Sequence, residues 1–157
     1  MRAVIQRVSQ ASVTIDGSQK AAIGRGLLVL VGVELGDTPA DAEWLASKTV
    51  QLRIFPDDAG KMNLDVQASN GSLLVVSQFT LLGDARKGNR PSFVQAARPE
   101  EAVPLYETFL QLLAARTGRP PERGVFAADM QVSLINDGPV TILLDSRERS
   151  ATAASPS

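Results

Sequence analysis

Between Gly24-Arg25-Gly26 and Glu34 the chain runs Leu27-Leu28-Val29-Leu30-Val31-Gly32-Val33, an unbroken apolar stretch of strand length. A strand that is apolar at every position has no face to give to water, so the run reads as a strand covered on both sides. Periodicity by itself leaves a buried helix open. Other strand signals gather around it. Ala3, Ile5 and Arg7 alternate with Val4, Gln6 and Val8, and Ala11-Ser12-Val13-Thr14-Ile15 resumes β-type residues before Asp16-Gly17, a hairpin turn pair. Arg53-Ile54-Phe55 reads as a short strand ended by the turn cluster Pro56-Asp57-Asp58-Ala59-Gly60. Asn70-Gly71 introduces Ser72-Leu73-Leu74-Val75-Val76, and two further strands, Gln131 to Ile135 and Val140 to Leu144, close the domain.

Two segments break this pattern with helical spacing. Thr38-Pro39-Ala40-Asp41 is a helix start, with a hydroxyl at the cap, proline at the first position and an acid in the first turn. Ala42, Leu45, Ala46, Thr49 and Leu52 then form one apolar stripe. In the second, Ala102, Leu105, Tyr106, Phe109, Leu112 and Leu113 trace the inner face, and Gly118 with Pro120-Pro121 stops the helix. Pro104 requires that helix to begin near it or to bend. Many strands with two crossover-length helices predict a single mixed α/β domain. No internal repeat or coiled-coil heptad is present to support a scaffold role. From Ser146 the chain loses periodicity, so residues 146–157 are expected to be a disordered tail behind a domain of residues 1–145.

Composition enters through what it excludes. The chain of 157 residues is long enough for one domain with a sizeable core. It has no Cys and no His, which removes disulfides, thiol nucleophiles, cysteine zinc sites and every imidazole-based triad. An enzyme built from these residues works without thiolate and without imidazole; neither metal nor cofactor is expected. Sixteen Lys+Arg against seventeen Asp+Glu leave a net charge of −1, so any RNA contact must come from a local patch. The opening Met1-Arg2-Ala3-Val4-Ile5-Gln6-Arg7-Val8 has neither the apolar core nor the cleavage pattern of a secretory signal. The Leu27 to Leu35 stretch is far shorter than the ~20 residues that span a bilayer. The expectation is a cytoplasmic protein with no membrane partner.

Polar residues interrupt strands in two places where packing favours apolar ones. Ser77-Gln78-Phe79-Thr80-Leu81 follows the Ser72 to Val76 strand directly. Its hydroxyls, its amide and the N–H groups of Phe79 and Thr80 could line a pocket and stabilise an oxyanion. The plain alternative is a strand-end cap with a core Phe. Asn136-Asp137-Gly138-Pro139-Val140-Thr141 separates the last two strands, and Asp-Gly between β runs is first of all a hairpin signal. Its Gly-Pro bond can also be cis, at about 0.5–1 kcal/mol, which would set two carbonyl oxygens nearly parallel to grip an ammonium group. Asp84-Ala85-Arg86-Lys87-Gly88-Asn89-Arg90-Pro91 offers three cations, Arg86, Lys87 and Arg90, as phosphate contacts or as an ordinary solvated loop. Arg7, midway along the first strand, must satisfy five donors and should brace carbonyls or acids.

Together these segments resemble the D-aminoacyl-tRNA deacylase family, along residues 1 to about 145. The likeness is carried by Gln6-Arg7-Val8, Gly26-Leu27-Leu28-Val29-Leu30, Gly60-Lys61-Met62-Asn63-Leu64 and Phe126-Ala127-Ala128-Asp129-Met130, and most specifically by Ser77-Gln78-Phe79-Thr80-Leu81 with Asn136-Asp137-Gly138-Pro139-Val140-Thr141. The resemblance implies a three-layer α/β/β fold and a homodimer whose active sites use both chains. It implies a pocket of Ser77, Gln78, Phe79 and Thr80, and a cis Gly138-Pro139 of the other subunit holding the substrate's α-amino group. Arg7 and Asn136 would support that motif, with Phe126 and Met130 close by. The implied reaction is hydrolysis of the ester between a D-amino acid and the 3′-terminal adenosine of tRNA, with glycyl-tRNA mischarged on tRNA-Ala also cleaved and L-aminoacyl-tRNA rejected. DNA is not an expected partner. Two other readings stand beside this one: a protein that binds an RNA end or small acidic ligand without chemistry, and a Thr- or Ser-dependent esterase or peptidase of small molecules. The second lacks a nearby Lys or N-terminal amine to activate its nucleophile.

Overall fold

The computed structural model describes residues 1–150. In chain order it holds β1 (Arg2–Ile15), β2 (Ser18–Ile23), β3 (Gly26–Gly32), α1 (Pro39–Gln51), β4 (Phe55–Pro56), β5 (Met62–Leu64), β6 (Ser72–Ser77), a 3-10 turn (Phe79–Leu82), α2 (Pro99–Thr117), β7 (Glu122–Arg123), β8 (Gln131–Asp145) and a second 3-10 turn (Ser146–Ser150). Six strands form one sheet in the order β2-β1-β3-β6-β7, with β8 on the far side of β1, and β4 and β5 make a separate pair. β3, β6 and β7 run parallel to one another; β1 is antiparallel to β2, β3 and β8.

The all-apolar β3 is a strand with both faces covered. Leu27, Val29 and Val31 join Leu73 and Val75 of β6 in a core completed by Ala42, Leu45 and Ala46 of α1 and Tyr106, Phe109 and Leu113 of α2. Leu28 of β3, with Leu74 and Val76 of β6, faces the opposite way into a second core. That core holds Ala11 and Val13 of distal β1 and Ala21 and Ile23 of β2. The long β1 makes this possible: residues 2–8 pair with β3, whereas residues 11–15 pair with β2 and fold across the β3–β6 face. The result is three layers, α/β/β. Each fully buried Leu, Val or Phe contributes about 1.5–3 kcal/mol by leaving water.

Several expectations need correction. The strand expected at Arg53-Ile54-Phe55 is displaced to Phe55–Pro56, where it pairs with β5. α2 starts at Pro99, five residues before Pro104, so that proline sits inside the helix and leaves the Glu100 carbonyl without its usual donor. Leu105 and Leu112 are only partly covered there, and Leu110 is buried instead.

The two expected C-terminal strands are one. Gln131 to Asn136 and Thr141 to Asp145 both pair antiparallel with β1, in the same direction, so no hairpin separates them. Val8 faces Asn136 and Gln6 faces Thr141, which leaves the four residues Asp137 to Val140 opposite the single residue Arg7. They bulge from the strand.

The boundary at Ser146 also moves. Ser146–Ser150 is ordered as a 3-10 turn, with Ser146 buried. The Met1 ammonium donates to Ser146 Oγ at 2.6 Å and pairs with Asp37 at 2.7 Å, Arg147 pairs with Glu34 at 3.1 Å and Arg149 with Asp41 at 2.8 Å. Charge pairing holds this segment, and hydrophobic periodicity carries no trace of it. The rest of the expected tail, residues 151–157, lies outside the described residues. Among the described residues, no helix is long and apolar enough to cross a membrane.

Candidate active site

β6 ends at Ser77, level with Val31 of β3, and the Gln78 N–H donates to the Val31 carbonyl at 2.8 Å. The chain then turns through Phe79–Leu82, so that Phe79 and Thr80 are both exposed. Gly32 is what lets this turn sit on the end of β3. A Cβ there would lie 2.9 Å from the Gln78 carbonyl oxygen and 2.6 Å from Leu82 Cδ2. The one polar interruption of the turn is ordered: Gln78 Nε2 donates to Thr80 Oγ1 at 3.0 Å.

A cleft of about 670 Å³ opens beside this turn. Ser77, Gln78, Phe79 and Thr80 form one wall, Ala102 and Tyr106 of α2 another, and Phe126 to Met130 a third. Its size suits a small-molecule moiety of several rings. Met130 is seated by Gly124, where a Cβ would come within 2.6 Å of its sulfur. Phe126 packs its ring at 5.6 Å from that of Tyr106.

Tyr106 was expected only as helix core. It is 1% exposed, yet it lines the cleft, and its hydroxyl has no hydrogen-bond partner among the described residues. Burial pushes its phenol up to about 12. An aromatic at helical spacing carries no signal of such a placement. Nor does Ala127, which takes a positive φ of 64° at the cleft wall.

Arg7 and the bulge of β8 form a second constellation. Arg7 is 9% exposed; its Nη1 donates to the Ile54 carbonyl at 2.6 Å and its Nε to the Asp137 carbonyl at 3.0 Å. The Asp137 carboxylate lies 3.6 Å from Nε. Asn136 closes the base of the bulge, accepting from the Val140 N–H at 2.9 Å and donating to Thr141 Oγ1 at 3.1 Å. Above this floor Asp137, Gly138 and Pro139 are exposed, and the Gly138-Pro139 bond is cis. None of residues 136–141 lines the cleft of the same chain. The resemblance implies one site built from the two motifs of different copies of the chain; within this one chain they lie apart.

The basic loop leaves the cleft after Gly83. Asp84 and Ser92 exchange backbone hydrogen bonds at 2.8 Å, closing residues 85–91 into an exposed loop. The Arg86 guanidinium is already engaged, donating to both Asp84 carboxylate oxygens at 2.9 and 2.6 Å. That pair holds the Asp84 carboxyl at about 2. Lys87 and Arg90 have no such partner among the described residues.

Comparison with known proteins identifies the family. The family model described as D-Tyr-tRNA(Tyr) deacylase matches residues 4–145. A D-aminoacyl-tRNA deacylase of Opitutus terrae is 63% identical over 149 residues, covering 95% of this chain and 99% of that protein. One of Geobacter sulfurreducens is 59% identical over 152 residues, covering 97% and 99%. Among solved structures, one titled c-Myc DNA Unwinding Element Binding Protein superposes with a TM-score of 0.86 at 42% identity, over 100% of both chains. A probable eukaryotic D-amino acid tRNA deacylase gives 0.77 at 16% identity over 91% and 97%, a likeness of fold alone. The chain belongs to the D-Tyr-tRNA(Tyr) deacylase family and is a hydrolase.

Proposed function

We propose that the protein hydrolyses the ester of D-aminoacyl-tRNA to free D-amino acid and tRNA, at a site shared between two copies of the chain. The cleft beside Thr80 takes the aminoacyl-adenosine end. Gly138 and Pro139 of the other copy supply carbonyl oxygens to the substrate's α-amino group. The observation that carries this reading is the separation of the two motifs: the cleft is open without residues 136–141, and Gly138-Pro139 stands exposed on a buried arginine floor. A second observation supports the pairing of copies. β8 is an outer strand of fifteen residues with Leu134, Ile135 and Leu143 exposed, an edge that soluble proteins ordinarily cover.

Chemically, an aminoacyl ester is activated enough that positioning, an oxyanion site and a water suffice without imidazole. The N–H groups of Phe79 and Thr80 open the 3-10 turn, where the first donors have no intrahelical acceptor. They are suited to the developing oxyanion. Thr80 positions the ester, and the neighbouring ribose 2′-hydroxyl orients the water. Phe126 and Met130 pack against the nucleoside. Handedness is read by exclusion. With amino group, carbonyl and Cα all pinned, a D side chain points to solvent and an L side chain runs into the Gly138-Pro139 wall. Side-chain identity then matters little, and a glycyl ester, including glycine mischarged on tRNA-Ala, is cleaved because it has nothing to exclude. Lys87 and Arg90 hold phosphates near the acceptor end, in a cytoplasmic setting where charged tRNA is found.

The test is ester loss from D-tyrosyl-tRNA against L-tyrosyl-tRNA. Cleavage of the D form alone is expected. Binding of both without hydrolysis would favour an RNA-end binding protein, and equal cleavage of a simple D-amino-acid ester would favour a small-molecule esterase.

A further inference from the structure

We propose that Phe93, with Lys87 and Arg90, forms a landing surface for the unpaired 3′ strand that leads into the cleft. Phe93 stacks on the base next to the terminal nucleoside, and the two cations hold backbone phosphates. This rests on the reading of the cleft as the seat of an RNA-linked ester.

The geometry begins at the rim. Phe79 lines the cleft and is 57% exposed; Phe93 meets its ring edge-to-face at 5.1 Å and 71° and is itself 37% exposed. Val94 beside it is 70% exposed. An apolar surface thus continues outward from the cleft instead of ending at it. The same chain segment carries the basic loop, since the Asp84–Ser92 pairing returns the chain directly to Phe93.

Exposed aromatic rings flanked by unpaired cations are the combination that single-stranded nucleic acid uses, because every base has a face to stack and every linkage a charge. The cations are not equivalent. Arg86 is neutralised by its bidentate contact with Asp84, whose carboxylate stays ionised well below neutral pH. Lys87 and Arg90 have no ion-pair partner among the described residues. The exposed ring offers a stacking face and the two cations offer counter-charge to phosphate, so the occupant that matches both is single-stranded RNA.

The experiment measures binding of a labelled short single-stranded RNA with a free 3′ end to the full chain. Phe93→Ala is expected to weaken binding about ten- to a hundredfold, with Phe93→Trp restoring most of it. Reversing Lys87 and Arg90 to Glu should weaken binding and reduce the salt slope by about 1.4, the release expected for two phosphates on a single strand. Arg86→Glu should move the slope less. In kinetics, Phe93→Ala should lower kcat/KM for D-tyrosyl-tRNA through KM, by at least tenfold more than for D-tyrosyl-adenosine, which has no neighbouring base. Four results would overturn the proposal: undiminished RNA binding by Phe93→Ala, equal losses on both esters that Phe93→Trp does not rescue, a changed oligomeric state in sedimentation, or tighter binding of single-stranded DNA of the same sequence. If the unaltered protein binds the RNA as described but cleaves neither ester, the deacylase reading fails and the landing surface stands.

Discussion

The Nε of Arg7 donates to the carbonyl of Asp137 at 3.0 Å, so a buried cation on β1 is the floor under the exposed bulge of β8. Nη1 of the same guanidinium ties that floor to Ile54 on the helix side of the fold. Arg7→Ala removes two charge-assisted hydrogen bonds to backbone carbonyls. We expect a loss of about 2–4 kcal/mol in stability, read as a shifted denaturation midpoint. We also expect about a hundredfold lower kcat/KM as the bulge loses its position. Arg7→Lys keeps the charge but cannot reach two carbonyls with one fork, so it should recover only part of either. Full activity in Arg7→Ala would show that the bulge holds itself.

Gly32 gives a prediction of the opposite kind, in which adding a methyl does the damage. Its Cβ would press on the Gln78 carbonyl oxygen and on Leu82, the two ends of the turn that presents Thr80. Gly32→Ala should cost about 1–3 kcal/mol by overpacking and should depress ester hydrolysis more than RNA binding. A variant as stable and active as the unaltered protein would mean that the turn can slide along β3 without consequence.

What the sequence could tell, and what it could not, follows from the range of the interactions involved. The apolar run of β3 announces its own burial because each residue must be covered wherever its partners come from, and Leu27 and Leu28 indeed face two different cores. The Arg7 donors likewise demand acceptors whatever the fold, and the carbonyls of Ile54 and Asp137 answer that demand. Asp137-Gly138 misled because a hairpin signal is local, whereas the choice made by both flanking segments to pair with β1 is not. The ordering of Ser146–Ser150 depends on Met1, Glu34 and Asp41, more than a hundred positions away. Tyr106 shares the helical spacing of any core residue, so nothing in its surroundings along the chain marks the cleft beyond it.

Thr80 tests the division between nucleophile and positioning group. Its hydroxyl receives an N–H from the Gln78 side-chain amide, a contact that orients the oxygen but takes no proton from it. Thr80→Ala should therefore lower kcat/KM by about ten- to a hundredfold, with Thr80→Ser close to the unaltered enzyme. Mass spectrometry of the quenched reaction should find no acyl adduct on the protein. A loss of many orders of magnitude together with a trapped acyl-Thr80 would reverse the assignment.

Tyr106 is the only tyrosine in the chain, so tyrosinate absorbance reads one group. Burial raises its folded value from 10.0 to about 12. Between those limits the unfolded phenol ionises while the folded one keeps its proton, so the native state binds more protons and stability falls as pH rises. The contribution is intact below pH 10 and amounts to a loss of about 2–3 kcal/mol by pH 12. Tyr106→Phe should lack this slope, which makes the difference between the two proteins the quantity to measure. At neutral pH the variant should be no less stable, because the hydroxyl it removes is buried without a partner among the described residues. A tyrosinate titrating at 10 in the native protein would show that the phenol reaches water through the cleft.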